Sequence, residues 1–312
     1  MAGPTFPAIA RPASLLDAWA PAGRVPHAVL ALARPGRPLL VESRGAYGPG
    51  TPVLVASLSK AVTGAAVLAL VEDGRLSPGD RLGTVLAGTF RRLGRPRDPR
   101  WLEITVADLA RHASGLPGGG PDDPVSPSAL APLRTRKGAG IDDALRPALA
   151  VPVGEAGAFA YSNLGYLVLG HVVEAASGKP YAAFAAERLL GPLGIRGALV
   201  DAEWAVTAPF GGWRFAAADY LRFLEVFRPS GGILSAATLA LAEAEPRYGY
   251  GRFRDAGRGA WHHTGSWGPR AAFEQRGDTS WFLAFAADGL PAAERNRLRG
   301  TLMERLRAEA DA

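Results

Sequence analysis

Strand-like runs cluster near the two ends of this chain and helical periodicity fills its middle, so any large sheet must be assembled from segments far apart in sequence. Residues 14–19 read as a short amphipathic helix, and residues 27–33 and 38–47 as a β-hairpin turning at Pro35-Gly36. Toward the other end, residues 248–254, 261–264, 271–275 and 281–286 are strand-like, with Arg276-Gly277-Asp278 as a turn. A last helix over 292–310 carries Leu298, Leu302 and Leu306 on one face. Residues 57–73 hold small and aliphatic side chains on most sides, as a buried helix does, and Gly74 is a plausible stop. Residues 105–112, 163–177, 181–190 and 216–227 predict further helices, and the Gly- and Pro-rich stretch 116–127 predicts a loop.

At 312 residues with 48% hydrophobic content, the chain can bury a full-sized core without a metal or a disulfide. It has no cysteine, which excludes disulfides, thiolate zinc sites and cysteine nucleophiles. The first 19 residues lack a basic start followed by an apolar stretch, and no apolar run approaches the ~18 residues of a membrane span. The expectation is a soluble, cytoplasmic protein with no membrane partner, a secreted form trimmed of its leader being the alternative. The net charge of +6 and the cluster Arg91, Arg92, Arg95, Arg97 and Arg100 raise the question of an acidic partner. No binding motif or aromatic stacking set accompanies the cluster, so no nucleic-acid partner is expected. The cations are nearly all arginine, with lysine only at 60, 137 and 179.

That scarcity sharpens one stretch. Ala56-Ser57-Leu58-Ser59-Lys60 sets a hydroxyl and an amine three residues apart, on one face of one helical turn. A serine hydroxyl is a weak nucleophile until a base takes its proton, and a lysine with a lowered pKa can do so where arginine cannot. With 14 serines and three lysines, chance supplies ~0.1 such patterns. Taken alone, the pattern also fits an ordinary helix start, with a serine cap and a lysine reaching solvent. Tyr161-Ser162-Asn163 stands at the entrance of the 163–177 helix, where a phenol can exchange protons if nearby cations favour phenolate, or can simply staple a cap. His263-Thr264-Gly265-Ser266 lies in a strand-like run, where a glycine would let a substrate backbone approach and the next amide would serve an oxyanion, or where the run is only sheet. The histidines at 27, 112, 171, 262 and 263 lack metal-ligand spacing, and no phosphate loop or Gly-x-Ser-x-Gly elbow is present.

In this order and spacing, the three elements resemble those of the serine β-lactamase and penicillin-binding protein superfamily. The resemblance extends through Ile104 to Leu109, His112-Ala113-Ser114-Gly115-Leu116-Pro117 and the 161–181 stretch. It is nearest to the branch of class C β-lactamases, family VIII esterases, D-alanyl-D-alanine carboxypeptidases and D-aminopeptidases. It implies a mixed α/β (α+β) fold in which an antiparallel sheet is flanked by terminal helices. Residues 1–77 and 246–312 would form that sheet lobe and residues 78–245 a mostly helical lobe, one catalytic unit with its site in the cleft. It further implies that Ser57 is acylated, that Lys60 and Tyr161 relay its proton, and that Asn163 holds a substrate amide or ester. His263, Thr264, Gly265 and Ser266 would form the strand side of the site. Histidine at 263 replaces the lysine of class C β-lactamases, which argues against efficient β-lactam hydrolysis. Arg270, just beyond that strand, either receives a substrate carboxylate by a bidentate contact or stands exposed with no partner. The expected activity is hydrolysis of an ester or amide of a small molecule or peptide, with no cofactor and no metal. Acyl transfer from the same intermediate and a non-catalytic, acylated binding protein are the alternatives, and nothing in the sequence sets an oligomeric state.

Overall fold

Residues 14–118 and 123–312 are described by the computed structural model of this chain; residues 1–13, where no leader was read, and residues 119–122 of the expected 116–127 loop lie outside them. The strands are β1 (His27–Ala33), β2 (Leu40–Arg44), β3 (Val53–Leu54), β4 (Leu199–Val200), β5 (Trp213–Phe215), β6 (Tyr248–Gly249), β7 (Arg252–Asp255), β8 (Ala260–Ser266), β9 (Arg270–Arg276) and β10 (Thr279–Ala286). Seven of them form one antiparallel sheet in the order β2-β1-β10-β9-β8-β7-β6. The two ends of the chain meet at the β1–β10 ladder, which runs from His27 opposite Ala286 to Ala33 opposite Ser280. A small second sheet, β3-β5-β4, was not expected, because strands of two or three residues show no readable alternation.

Each face of the large sheet is covered, which is why its central strands read as nearly continuous apolar runs. Val29 and Ala31 of β1, Phe273 of β9 and Phe282 and Ala284 of β10 enter the main core. Their alternates Leu30, Leu32, Ala272, Leu283 and Phe285 pack with Leu16, Leu302 and Leu306 of the terminal helices, Leu15–Trp19 and Ala292–Asp311. Leu298 of the expected stripe packs at the edge of that cluster, partly buried. The first helix is pinned to β2 by Glu42, whose carboxylate accepts from Ser14 Oγ at 2.7 Å and from the Leu15 and Leu16 N–H groups at 3.0 Å.

The helix Ser59–Glu72 runs through the middle of the main core, with every residue from Ser59 to Leu70 buried. It is entered through a 3-10 turn, Ala56–Leu58, and ends at Asp73 before Gly74, whose φ of +66° turns the chain away. It packs against the helix Asn163–Ser177, while the helix Ala217–Leu224 packs on β1 and β10, so part of the helical middle lies directly against the sheet. A Cβ at Gly64 would come within 1.9 Å of the Tyr250 carbonyl oxygen, so glycine here lets the loop before β7 touch the buried helix.

Candidate active site

Three pieces of chain converge on a cavity of about 340 Å³ lined by Ser57, Tyr161, Asn163, His263, Thr264 and Ser266, with Pro127, Phe253 and Trp267 as its apolar walls. Ser57 sits in the 3-10 turn, directly after Ala56, whose φ of +50° is unusual for a side chain bearing a Cβ. That turn presents the hydroxyl beside the first residues of the buried helix. The Ser57 N–H lies in the opening turn, where no earlier intrahelical carbonyl can accept it.

Lys60 is fully buried. Its Nζ lies 2.8 Å from Asn163 Oδ1, 3.0 Å from the Phe210 carbonyl oxygen and 3.3 Å from Ser57 Oγ. Burial drives its pKa well below the ordinary lysine value, against the opposing charge of Asp123. A neutral amine has two hydrogens and one lone pair. In that neutral form the Asn163 and Phe210 oxygens, which can only accept, would take the two hydrogens and leave the lone pair for the Ser57 hydroxyl. The Tyr161 ring centroid lies 4.8 Å from the same nitrogen.

The neighbouring Ser57 hydroxyl favours the Tyr161 phenolate, yet burial outweighs it and raises the Tyr161 pKa above the ordinary phenol value. Burial therefore holds Tyr161 as a protonated phenol, and a lysine whose own pKa is lowered by burial does little to reverse that. The Tyr161 segment is clamped by His112. The His112 Nδ1 accepts from the Ser162 N–H at 3.1 Å, and the His112 carbonyl accepts from the Ala160 N–H at 2.8 Å. The imidazole sits within an aromatic cluster, 4.5 Å from Tyr161, 4.4 Å from Tyr248 and 5.0 Å from Tyr166 between ring centroids. Ser162 caps the Asn163–Ser177 helix by accepting from the Gly165 N–H at 3.0 Å, which fixes Asn163 on the first turn facing Lys60.

The strand side departs from expectation in two places. β7 pairs with β8 only as far as His262, so residues 263–266 have a free edge toward the cavity among the described residues. A Cβ at Gly265 would lie 2.5 Å from the Val55 carbonyl oxygen and 3.1 Å from Ala56 Cβ. What the glycine admits is therefore the Ser57 turn, docked on the strand, and not the backbone of a substrate. Arg270, expected to receive a carboxylate, is directed away from the cavity. Its Nε donates to Asn296 Oδ1 at 2.9 Å and its Nη1 to the Gly268 carbonyl at 3.3 Å, because its β9 position faces the C-terminal helix. His263, on the opposite face, is buried and held neutral by that burial. Its Nδ1 donates to the Thr264 carbonyl at 2.8 Å, which leaves Nε2 to accept from Tyr248 Oη at 3.3 Å.

The Beta-lactamase family model matches residues 13–306. The chain belongs to the β-lactamase family. It is a serine hydrolase of that family. Solved structures share the fold: SurE in its structure with D-Leu, at 24% identity and a TM-score of 0.73, covers 95% of this chain and 74% of that one. A D-stereospecific amidohydrolase from Streptomyces sp. aligns at 23% identity and a TM-score of 0.68, over 85% of this chain and 90% of that one. The D-amino acid amidase from Ochrobactrum anthropi SV3 aligns at 18% identity and a TM-score of 0.70, over 91% and 97%. No helix among the described residues is long and apolar enough to cross a membrane.

Several residues of this β-lactamase-family site carried no local signal. Arg299 reaches from the C-terminal helix to the end of β8, where Nη1 donates to the Gly265 carbonyl at 3.1 Å and to Ser266 Oγ at 2.8 Å. The Phe210 carbonyl that holds Lys60 belongs to a residue whose ring stacks on Trp267, 5.9 Å between centroids, at the cavity wall. Only the Gly211-Gly212 pair after Phe210 hinted at a close backbone approach: a Cβ on Gly211 would lie 2.9 Å from the Trp267 ring.

Proposed function

We propose that the chain hydrolyses amide or ester bonds through an acyl-enzyme on Ser57, and that its substrates are small amides bearing an apolar group, D-amino-acid amides foremost. The arrangement of Lys60 carries the reading: its Nζ lies 2.8 Å and 3.0 Å from two fixed carbonyl oxygens and 3.3 Å from Ser57 Oγ, so that once neutral it turns its lone pair to the hydroxyl. In this reading Lys60 takes the Ser57 proton as the hydroxyl attacks the substrate carbonyl. Tyr161, held as a phenol, hands its proton to the departing amine or alcohol and is reprotonated by the proton that Lys60 took from Ser57, since Ser57 Oγ is by then bonded to the acyl group. The N–H groups of Ser57 and Ser266 would hold the oxyanion, each such donor being worth roughly 3 to 4 kcal/mol in comparable enzymes. Asn163, with its oxygen engaged by Lys60, keeps its amide hydrogens for a substrate carbonyl in the cavity it lines.

The substrate class rests on two supports. The walls Pro127, Phe253 and Trp267 suit an apolar side chain. The similar folds include a D-stereospecific amidohydrolase and a D-amino acid amidase. A neutral His263 supplies no cation for a β-lactam carboxylate, which favours slow turnover of penicillins. The test is a panel of D-phenylalanine p-nitroanilide, its L-enantiomer and benzylpenicillin, assayed with wild type and Ser57→Ala. The proposal expects Ser57-dependent release fastest from the D-anilide and slowest opening of the penicillin. Equal rates for the enantiomers, or faster turnover of penicillin, would contradict the substrate assignment.

A further inference from the structure

A second cavity, of about 470 Å³, lies near the beginning of β8, away from Ser57, and is lined among others by Phe227, Arg228, Glu243, Arg252, Trp261 and Asp278. Arg252 is 2% exposed, and its side chain makes no hydrogen bond or ion pair among the described residues. Its guanidinium carbon lies 3.7 Å from the Phe227 ring centroid and 4.6 Å from that of Trp261. Arg228 beside it spends Nε on the Gly277 carbonyl and Nη1 on Glu225, and leaves Nη2 buried without an acceptor.

Ring faces hold a cation but do not accept all the in-plane N–H donors of a guanidinium, which match two carboxylate oxygens. An arginine stays charged at neutral pH even here, where burial pulls its pKa down to about 9. Nothing of this chain among the described residues offers that fork an acceptor, and it borders an open cavity. The rim carries the exposed acids Glu243 and Asp278; the Glu243 charge supports the charged form of Arg252 without a hydrogen bond to it, and the two acids oppose a multiply charged anion more than a singly charged one. We propose that this cavity is a second ligand site, distinct from the Ser57 cleft, that takes one small organic carboxylate on the cavity side of the Arg252 guanidinium with its apolar body against Trp261.

Sodium benzoate titrated into the full chain by calorimetry tests this. Saturable binding at millimolar benzoate is expected in wild type and in Ser57→Ala, weakened by about tenfold or more in Arg252→Met. Inorganic phosphate at matched ionic strength should not displace benzoate. Unchanged affinity in Arg252→Met, no saturable binding to wild type, or displacement by phosphate would overturn the proposal. Should Arg252→Met fail to fold, the Trp261 indole N–H resonance of wild type, assigned with Trp261→Phe, decides: a saturable benzoate-dependent shift supports the site, and an unmoved resonance overturns it.

Discussion

In the proposed mechanism the chemistry turns on a single amine. Lys60 is one of three lysines in the chain, and it stands where only a cation able to lose its charge can act as a base. Arginine in the same place would keep its proton, so Lys60→Arg is expected to lower kcat on an activated ester by at least ~10³ with the fold retained by circular dichroism. The sign of the pH dependence follows from the lowered pKa. Activity should fall on the acid side as Lys60 is protonated, with an inflection well below that of an ordinary lysine. Tyr161→Phe should reduce kcat on an amide yet leave that inflection in place, since Tyr161 stays protonated throughout. A kcat/KM profile whose acid limb vanishes in Tyr161→Phe would give the base role to the phenol instead. The rare serine–lysine spacing singled out Ser57 and Lys60, while their roles and that of Tyr161 were legible only through the resemblance of the three elements, in order, to a known family. The sequence misled at Arg270, because which face of β9 that residue occupies depends on the strand register, not on nearness to the motif.

At the scale of elements, the site is built where the Ser57 turn docks on the free end of β8. Gly265→Ala would push a methyl to 2.5 Å from the Val55 carbonyl oxygen, so either strand or turn must yield. The expected cost is about 1–3 kcal/mol in urea unfolding, with a larger loss of kcat than of stability, because the shift moves Ser57. Arg299 holds the other side of the same strand end. Arg299→Met should lower kcat about tenfold while changing KM and the unfolding midpoint little, since it removes two bonds to residues 265–266 from an edge of the core. A KM effect alone would mean that Arg299 binds substrate and does not position the strand. Long elements such as the 59–72 and 163–177 helices were legible from their spacing. The small β3-β5-β4 sheet and the reach of Arg299 were not, since both are set by contacts between distant segments.

Across the whole molecule, a sheet closed by the two ends of the chain was expected from the distribution of strand-like runs, and the β1–β10 ladder is that closure. Its interior keeps imidazoles neutral. Burial lowers the pKa of His171 to about 4 and those of His112 and His263 well below the ordinary value. Below a pH of about 6.5 the unfolded chain binds protons that the folded chain refuses, so stability is present above that pH and is lost as pH falls toward 4, by up to about 1.4 kcal/mol per pH unit for each such group. Urea midpoints should drop between pH 7 and pH 5, and His171→Leu should shallow that drop; an identical slope in the variant would contradict the assignment. The most direct test of the central claim is intact-mass analysis after brief exposure to p-nitrophenyl acetate, comparing wild type with Ser57→Ala. The account predicts an acetyl adduct mapped to Ser57 in wild type, with nitrophenolate release, and none in the variant. An adduct of equal abundance in both proteins would contradict Ser57 as the nucleophile.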